Sequence, residues 1–166
     1  MDKNIVLIGM PGSGKTTVGE LLSELLNLEL YDVDQFLEKM EDKSIAEIFE
    51  SGEKYFRDIE TKAIETIISK NNIIISTGGG TIKSYHNMEM LKKNGLIIFI
   101  NRPLMDIIED VDIENRPLLK NGKEKMYELY HERYNLYKKY CDYEIINDKD
   151  ISLVIDQITN LILHKE

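Results

Sequence analysis

Polar and apolar positions along the chain alternate between two periods, and the alternation predicts an architecture. Short apolar runs of strand length stand at residues 4–9, 29–32, 73–76, 96–100 and 143–146. Between them, apolar residues spaced three or four apart predict amphipathic helices. The clearest covers 15–26, with Val18, Leu21, Leu22, Leu25 and Leu26 on one side; others fit about 34–40, 44–51, 53–69, 85–93, 103–109, 125–140 and 151–163. Ser44 and Glu47 have the spacing of a capping box, Asn94-Gly95 reads as a helix C-cap, and Pro103 as a helix start. The stretch 110–125 breaks the pattern: it is polar, lacks a period, contains Arg116-Pro117 and Asn121-Gly122, and reads as a mobile loop or lid. Strands alternating with helices imply a parallel sheet covered on both faces, hence an α/β fold. There is no internal repeat, low-complexity segment or interdomain linker, so residues 1–166 are expected to form a single domain.

Composition narrows this picture. Of 166 residues, 42% are hydrophobic and 31% charged, ordinary for a globular domain. The longest apolar runs are far too short to span a bilayer, and Met1-Asp2-Lys3-Asn4 does not open a signal peptide. A single cysteine, Cys141, allows no internal disulfide, which suits the cytoplasm. The net charge of −9 argues against nucleic acid or a membrane surface as partner. Any anionic ligand must therefore be held by a local cluster of cations. Lysine dominates the basic residues; arginine occurs only at Arg57, Arg102, Arg116 and Arg133. In such a chain an arginine suggests a bidentate, planar donor, with a surface ion pair as the plain alternative.

The first apolar run leads into Gly9-Met10-Pro11-Gly12-Ser13-Gly14-Lys15-Thr16-Thr17, which matches G-x-x-x-x-G-K-[ST]. Glycines let several backbone N–H groups converge on one phosphate, and the following helix points its positive end at the same place. On this reading Gly12, Ser13, Gly14, Lys15, Thr16 and Thr17 bind ATP. Lys15 reaches the β- and γ-phosphates, and the Thr16 hydroxyl ligates Mg²⁺.

Four later elements bear on what receives the phosphate. Asp32-Val33-Asp34 follows the second strand; in extended backbone its two carboxylates point the same way, one toward the magnesium shell and one toward an acceptor hydroxyl. A helix N-cap role for Asp34 is the alternative. In Phe56-Arg57-Asp58-Ile59-Glu60, Arg57 and Glu60 are neighbours on a helix, which also fits an ordinary ion pair. Gly78-Gly79-Gly80 closes a buried strand and suggests a ligand approaching the backbone. Arg116-Pro117-Leu118-Leu119 lies in the polar stretch, and Glu132-Arg133 on the next helix.

In this order and spacing, across nearly the whole chain, these motifs resemble shikimate kinase. The resemblance implies a three-layer α/β/α P-loop fold with a five-stranded parallel sheet in the order 2-3-1-4-5. It also implies phosphoryl transfer from ATP to the 3-hydroxyl of shikimate, with Mg²⁺, in aromatic amino-acid biosynthesis. By position it makes Asp34 the base or orienter, with Lys15 and Arg116 catalytic beside it. Arg57, Arg133, Gly79 and Gly80 would hold shikimate, Arg116 would also contact the transferring phosphate, and Asp32 would bind the metal through water. Residues 33–61 become substrate-binding helices and 110–125 the lid, in a protein expected to be monomeric. Three of the four arginines then fall at anion sites, and Arg102 is left to a structural role.

Two departures stand out. Relatives commonly carry a basic residue shortly before the lid Arg-Pro, lying against adenine; here the segment reads Ile108-Glu109-Asp110-Val111-Asp112. Many relatives also have proline within the segment that reads Tyr134-Asn135-Leu136-Tyr137 here. The rival functions are another small-molecule kinase, such as a gluconate or nucleoside monophosphate kinase, or a non-catalytic nucleotide-binding module. The glycine triplet and the Phe-Arg-x-x-Glu motif disfavour the first, and the intact Lys15, Thr16 and Asp34 the second. His86, His131 and His164 have no metal-ligand spacing, and Cys141 and the tyrosines between Tyr127 and Tyr143 read as packing residues.

Overall fold

The computed structural model describes residues 3–110 and 122–163. All five expected strands are present: β1 (Asn4–Ile8), β2 (Glu29–Asp32), β3 (Ile73–Ser76), β4 (Gly95–Asn101) and β5 (Tyr143–Ile146). They form one parallel sheet in the order β2-β3-β1-β4-β5, with Ile5 of β1 opposite Ile74 on one side and Leu96 on the other. β1 is buried at every residue, as a central strand covered on both faces must be.

The pleat sends alternate β1 side chains into two separate cores. Ile5 and Leu7 join Val18 and Leu22 of α1 (Lys15–Leu26) and Val154 and Ile158 of α8 (Ile151–Leu163) on one face. Val6 and Ile8 join the other core. It is built by α2 (Val33–Glu41), α3 (Ile45–Glu50), α4 (Glu53–Ile67), α5 (Tyr85–Asn94), α6 (Leu104–Asp110) and α7 (Gly122–Tyr140). The three layers match the expected fold. Ser44 and Glu47 form the expected capping box at the start of α3.

Two local expectations change. Gly95 is not a left-handed cap: its φ is −149° and it is already the first residue of β4. A Cβ there would come within 2.6 Å of Val6 Cγ2, so close strand packing calls for the glycine. α7 starts three residues before the expected 125, with Glu124 in its first turn, where the helix dipole favours a carboxylate.

Parallel strands bring all five carboxyl ends to one edge, where α/β folds bind ligands. There lie the turn after β1, Asp32 at the end of β2, Gly78–Gly80 beyond β3, Arg102 after β4 and Asn147 after β5. Among the described residues, no helix is long and apolar enough to cross a membrane.

Candidate active site

The nucleotide side begins where β1 ends. The chain turns through Gly12 (φ 79°) and Gly14 (φ 94°), conformations that residues with a Cβ rarely adopt, and enters α1. Ser13 N donates to Met10 O at 3.1 Å, closing the turn. Lys15 Nζ donates to Gly9 O and Met10 O, each at 2.9 Å, so its ammonium folds back across the loop. The first turn of α1 carries no acidic residue, which leaves its positive end unopposed. The loop is braced from the far side of the sheet, because Asn147 Nδ2 donates to Ser13 O at 2.9 Å.

β2 delivers the two aspartates, but not as an extended pair. α2 begins at Val33, so only Asp32 is extended and Asp34 already lies in the helix. Asp32, not Asp34, is the N-cap: its Oδ1 accepts from Asp34 N at 3.0 Å and Gln35 N at 3.2 Å. Its Oδ2 accepts from Thr16 Oγ1 at 3.2 Å, which joins it to the phosphate loop. Capping frees Asp34 to face Gly78, where a Cβ would lie 3.0 Å from Asp34 Oδ1. Burial, and after it the Asp32 and Glu60 carboxylates, push the Asp34 carboxyl up to about 6, against the pull of Lys15 and Arg57.

The acceptor side hangs on a buried carboxylate. Glu60 is fully buried; its Oε2 accepts from Arg57 Nη1 at 3.0 Å and its Oε1 from Thr81 Oγ1 at 2.7 Å. The ion pair expected within α4 is therefore real, and it also ties the guanidinium to the chain after the glycine triplet. Phe56 lies under the same guanidinium, 5.0 Å from ring centre to Cζ, and stacks on Phe49.

The triplet is crowded by the protein itself. A Cβ on Gly79 would sit 2.7 Å from Pro11 Cδ of the phosphate loop, and one on Gly80 would sit 3.0 Å from Arg57 Cζ. Protein groups, where the sequence suggested a ligand, thus account for the missing side chains. The three glycines put Asp34, Pro11 and Arg57 within reach of one short stretch of backbone.

α7 closes this side. Tyr137 is buried, its hydroxyl donates to Gly79 O at 2.6 Å, and Arg133 hydrogen-bonds the same phenol. Burial raises the Tyr137 pKa, so the hydroxyl keeps its proton and remains a donor. Arg133 Nε is buried without a partner among the described residues, an arrangement that a bound anion would satisfy. Lys83, after the triplet, pairs with Glu132 at 2.6 Å and fixes α7 over the loop.

A family model described as shikimate kinase matches residues 11–163. The chain belongs to the shikimate kinase family. It is 50% identical to the shikimate kinase of Clostridium botulinum (strain Alaska E43 / Type E3) over 164 residues, covering 99% of each chain. It is 47% identical to that of Clostridium beijerinckii over 163 residues, covering 98% of this chain and 96% of the relative. The shikimate kinase from Acinetobacter baumannii, solved in complex with shikimate, superposes with a TM-score of 0.91 at 34% identity, covering 100% of this chain and 96% of that one. The shikimate kinase from Aquifex aeolicus gives 0.86 at 37% identity, with 98% and 97% covered.

Within this shikimate kinase fold the structure brings together every candidate site residue except Arg116. That arginine and positions 111–121 of the expected lid lie outside the described residues. Several neighbours escaped sequence reasoning. Tyr137 stands one helical turn after Arg133, a spacing that signals a shared face. Thr81 directly follows the triplet and carries no pattern of its own. Arg102, expected to be structural, donates to Gly12 O at 3.3 Å and pairs with Asp110, and it lines a cleft of about 290 Å³ with Gly14, Thr17, Asp106, Asn147 and Lys149. The described residues hold no cluster of metal-binding side chains, and the half-buried Cys141 thiol is pushed up by burial.

Proposed function

We propose that this chain transfers the γ-phosphoryl of ATP to the 3-hydroxyl of shikimate, with the candidate residues in the following roles. The observation that carries the assignment is the convergence of Asp34 and Arg57 on Gly78–Gly80, directly against Pro11 of the phosphate loop, with Arg133 joined to Gly79 through Tyr137. Two fixed guanidiniums suit a carboxylate, for which a planar fork is the matching donor. Shikimate has one, and Arg57, Arg133 and the Gly79–Gly80 backbone hold it within the substrate helices 33–61. Its hydroxyl is thereby aimed at the γ-phosphate, which the N–H groups of Gly12–Thr17 and Lys15 hold in place.

Asp34 accepts the hydroxyl proton as the oxygen bonds to phosphorus; the bond to the bridging oxygen breaks, and ADP leaves with that electron pair. A carboxyl titrating near 6 is ionised at neutral pH, yet is a better proton acceptor than an ordinary aspartate. Arg116, from the lid at 110–125, neutralises charge on the transferring group.

The Thr16 hydroxyl and the Asp32 Oδ2 that accepts from it form an all-oxygen pair beside the phosphate loop, the donor type Mg²⁺ takes when it keeps several waters and phosphate oxygens. Bound there by Thr16, and by Asp32 through water, Mg²⁺ would supply charge neutralisation for the phosphates. A cytoplasmic location, for which the lone, half-buried Cys141 is the support, and a monomeric state complete the reading.

The test is a coupled ADP-release assay with Mg²⁺ and ATP, comparing shikimate, gluconate and CMP as acceptors. Release with shikimate alone is expected. Shikimate-independent turnover, or preference for another acceptor, removes the assignment of the Arg57–Arg133 side.

A further inference from the structure

Two consecutive peptide planes of the phosphate loop are held in different ways. The plane between Gly12 and Ser13 is fixed at both ends, since Gly12 O accepts from Arg102 Nη1 at 3.3 Å and Ser13 N donates to Met10 O at 3.1 Å. The plane between Ser13 and Gly14 is fixed at one end only. Its carbonyl, Ser13 O, accepts from Asn147 Nδ2 at 2.9 Å, a contact across 134 positions of sequence. Among the described residues the Gly14 N–H has no backbone partner. No peptide bond among those residues is cis, and in a trans unit the C=O and N–H point in opposite directions. A carbonyl drawn toward Asn147 therefore turns the Gly14 N–H away from it, to the inner side of the loop.

The loop does not make that choice by itself. Glycine takes either sign of φ with little penalty, so the Ser13–Gly14 plane could turn over without straining residue 14. Asn147 stands against this joint: Gly14 has a φ of 94°, and a Cβ on it would lie 2.8 Å from Asn147 Nδ2. Asn147 is itself anchored, because its N–H donates to Asn101 O at 2.9 Å, one step beyond the pairing of Asn101 with Ile146. Ser13 O can only accept, so the group that faces it must be a donor.

We propose that Asn147 is a positioning residue for phosphate binding: it locks the Ser13–Gly14 peptide with the Gly14 N–H aimed at the phosphates. The inference rests on the reading of the phosphate loop as an ATP site, and makes one of that site's donors depend on a side chain beyond the last strand. A plane free to turn would present its carbonyl oxygen to the anion for part of the time, which repels where an N–H attracts. Asn147 acts through the peptide plane, not by contact with the phosphate.

The test uses inorganic tripolyphosphate with Mg²⁺, on the full chain isotope-labelled at glycine and without acceptor. In the unsubstituted protein the Gly14 amide proton is expected to move downfield as tripolyphosphate binds, the signature of a hydrogen bond to an anion. Asn147→Ala removes the side chain, and Asn147→Leu fills the same space without a donor. Both are expected to weaken tripolyphosphate about five- to tenfold by calorimetry and to shrink the Gly14 shift. Recovery of wild-type affinity in Asn147→Leu would mean that the side chain only fills space, and overturns the proposal. So does affinity within about twofold of the unsubstituted protein in both variants, or a Gly14 amide that stays in place while tripolyphosphate binds. That last observation is made on the unsubstituted protein and does not depend on either variant folding. If the unsubstituted protein binds neither ATP nor tripolyphosphate, the phosphate-loop reading falls and takes this proposal with it; binding with an unmoved Gly14 amide removes this proposal alone.

Discussion

The phosphate loop and the acceptor side meet at Gly79, yet they are built on opposite plans. On the proposed reading the loop takes its ligand groups from consecutive residues, Gly9 to Thr17, and mostly from backbone, which one strand–turn–helix unit positions. The acceptor side takes Asp34 from α2, Arg57 from α4, the glycines from the end of β3 and Arg133 from α7. Its side chains are held only through a second set of buried contacts: Glu60 to Arg57 and Thr81, and Tyr137 to Gly79. The difference teaches where fragility lies. A site of backbone groups tolerates change around it, whereas a site of charged side chains depends on each partner that keeps a desolvated group in place.

The strongest way to break the acceptor side is Asp34→Asn. We expect kcat to fall about 10²-fold or more with ATP binding retained, checked by steady-state kinetics and calorimetry. The same carboxylate sets a pH profile. Its folded pKa lies above the ordinary carboxylate value, so kcat/KM for shikimate should fall about tenfold per unit as pH drops below about 6. The sign for stability is opposite. The folded state binds this proton more tightly than the unfolded chain, so ionised Asp34 costs stability above about pH 6 and nothing below about pH 4. Asp34→Asn should therefore raise Tm by about 2–6 °C at pH 8 and have little effect at pH 4, by calorimetry. A variant that is both active and no more stable would refute the role given to this carboxyl.

A smaller effect is expected from Arg57→Lys, which keeps the charge beside Glu60 but removes the fork. KM for shikimate should rise about 10- to 50-fold while KM for ATP stays within about twofold; a parallel rise in both would dissolve the distinction between the two sides. Smallest is Tyr137→Phe, which removes the hydroxyl on Gly79 O and leaves the ring. A loss of about 1–2 kcal/mol in stability and a rise of about threefold in KM for shikimate are expected, from denaturant melts and kinetics. No change in either would mean that this bond does not hold the triplet.

The same contrast explains what could be read from the residues alone. The parallel sheet covered on both faces and the phosphate loop follow from local period and one contiguous motif, the strand order from the family resemblance, and the structure reproduces them. The residues proposed for the acceptor side, Asp34, Arg57, Gly79, Gly80 and Arg133, stand out in the sequence, but not their supports, because contacts such as Glu60 with Thr81 join residues 21 positions apart. Asp32-Val33-Asp34 misled for a local reason: a strand that ends on an N-capping aspartate changes period at the next residue, and the assumption of extended backbone fails there. Gly95 marks the end of α5 as expected but for another reason, because a glycine required by packing looks the same in sequence as one required by a left-handed φ. Arg102 was set aside because no motif contains it; only the meeting of β4, the phosphate loop and β5 gives it a setting.

The crowding at Gly79 carries a genetic consequence. Its side-chain space is already filled by the pyrrolidine ring of Pro11, so the two positions form one volume shared between the donor and acceptor halves of the enzyme. An alanine at 79 would be tolerated only in a lineage that had first trimmed the residue at 11. The change at 79 is costly while Pro11 keeps its ring, so the order in which the two arise is constrained. The seam between the two substrates is in this sense a lock on the chain's history: each half can drift alone, except where they touch.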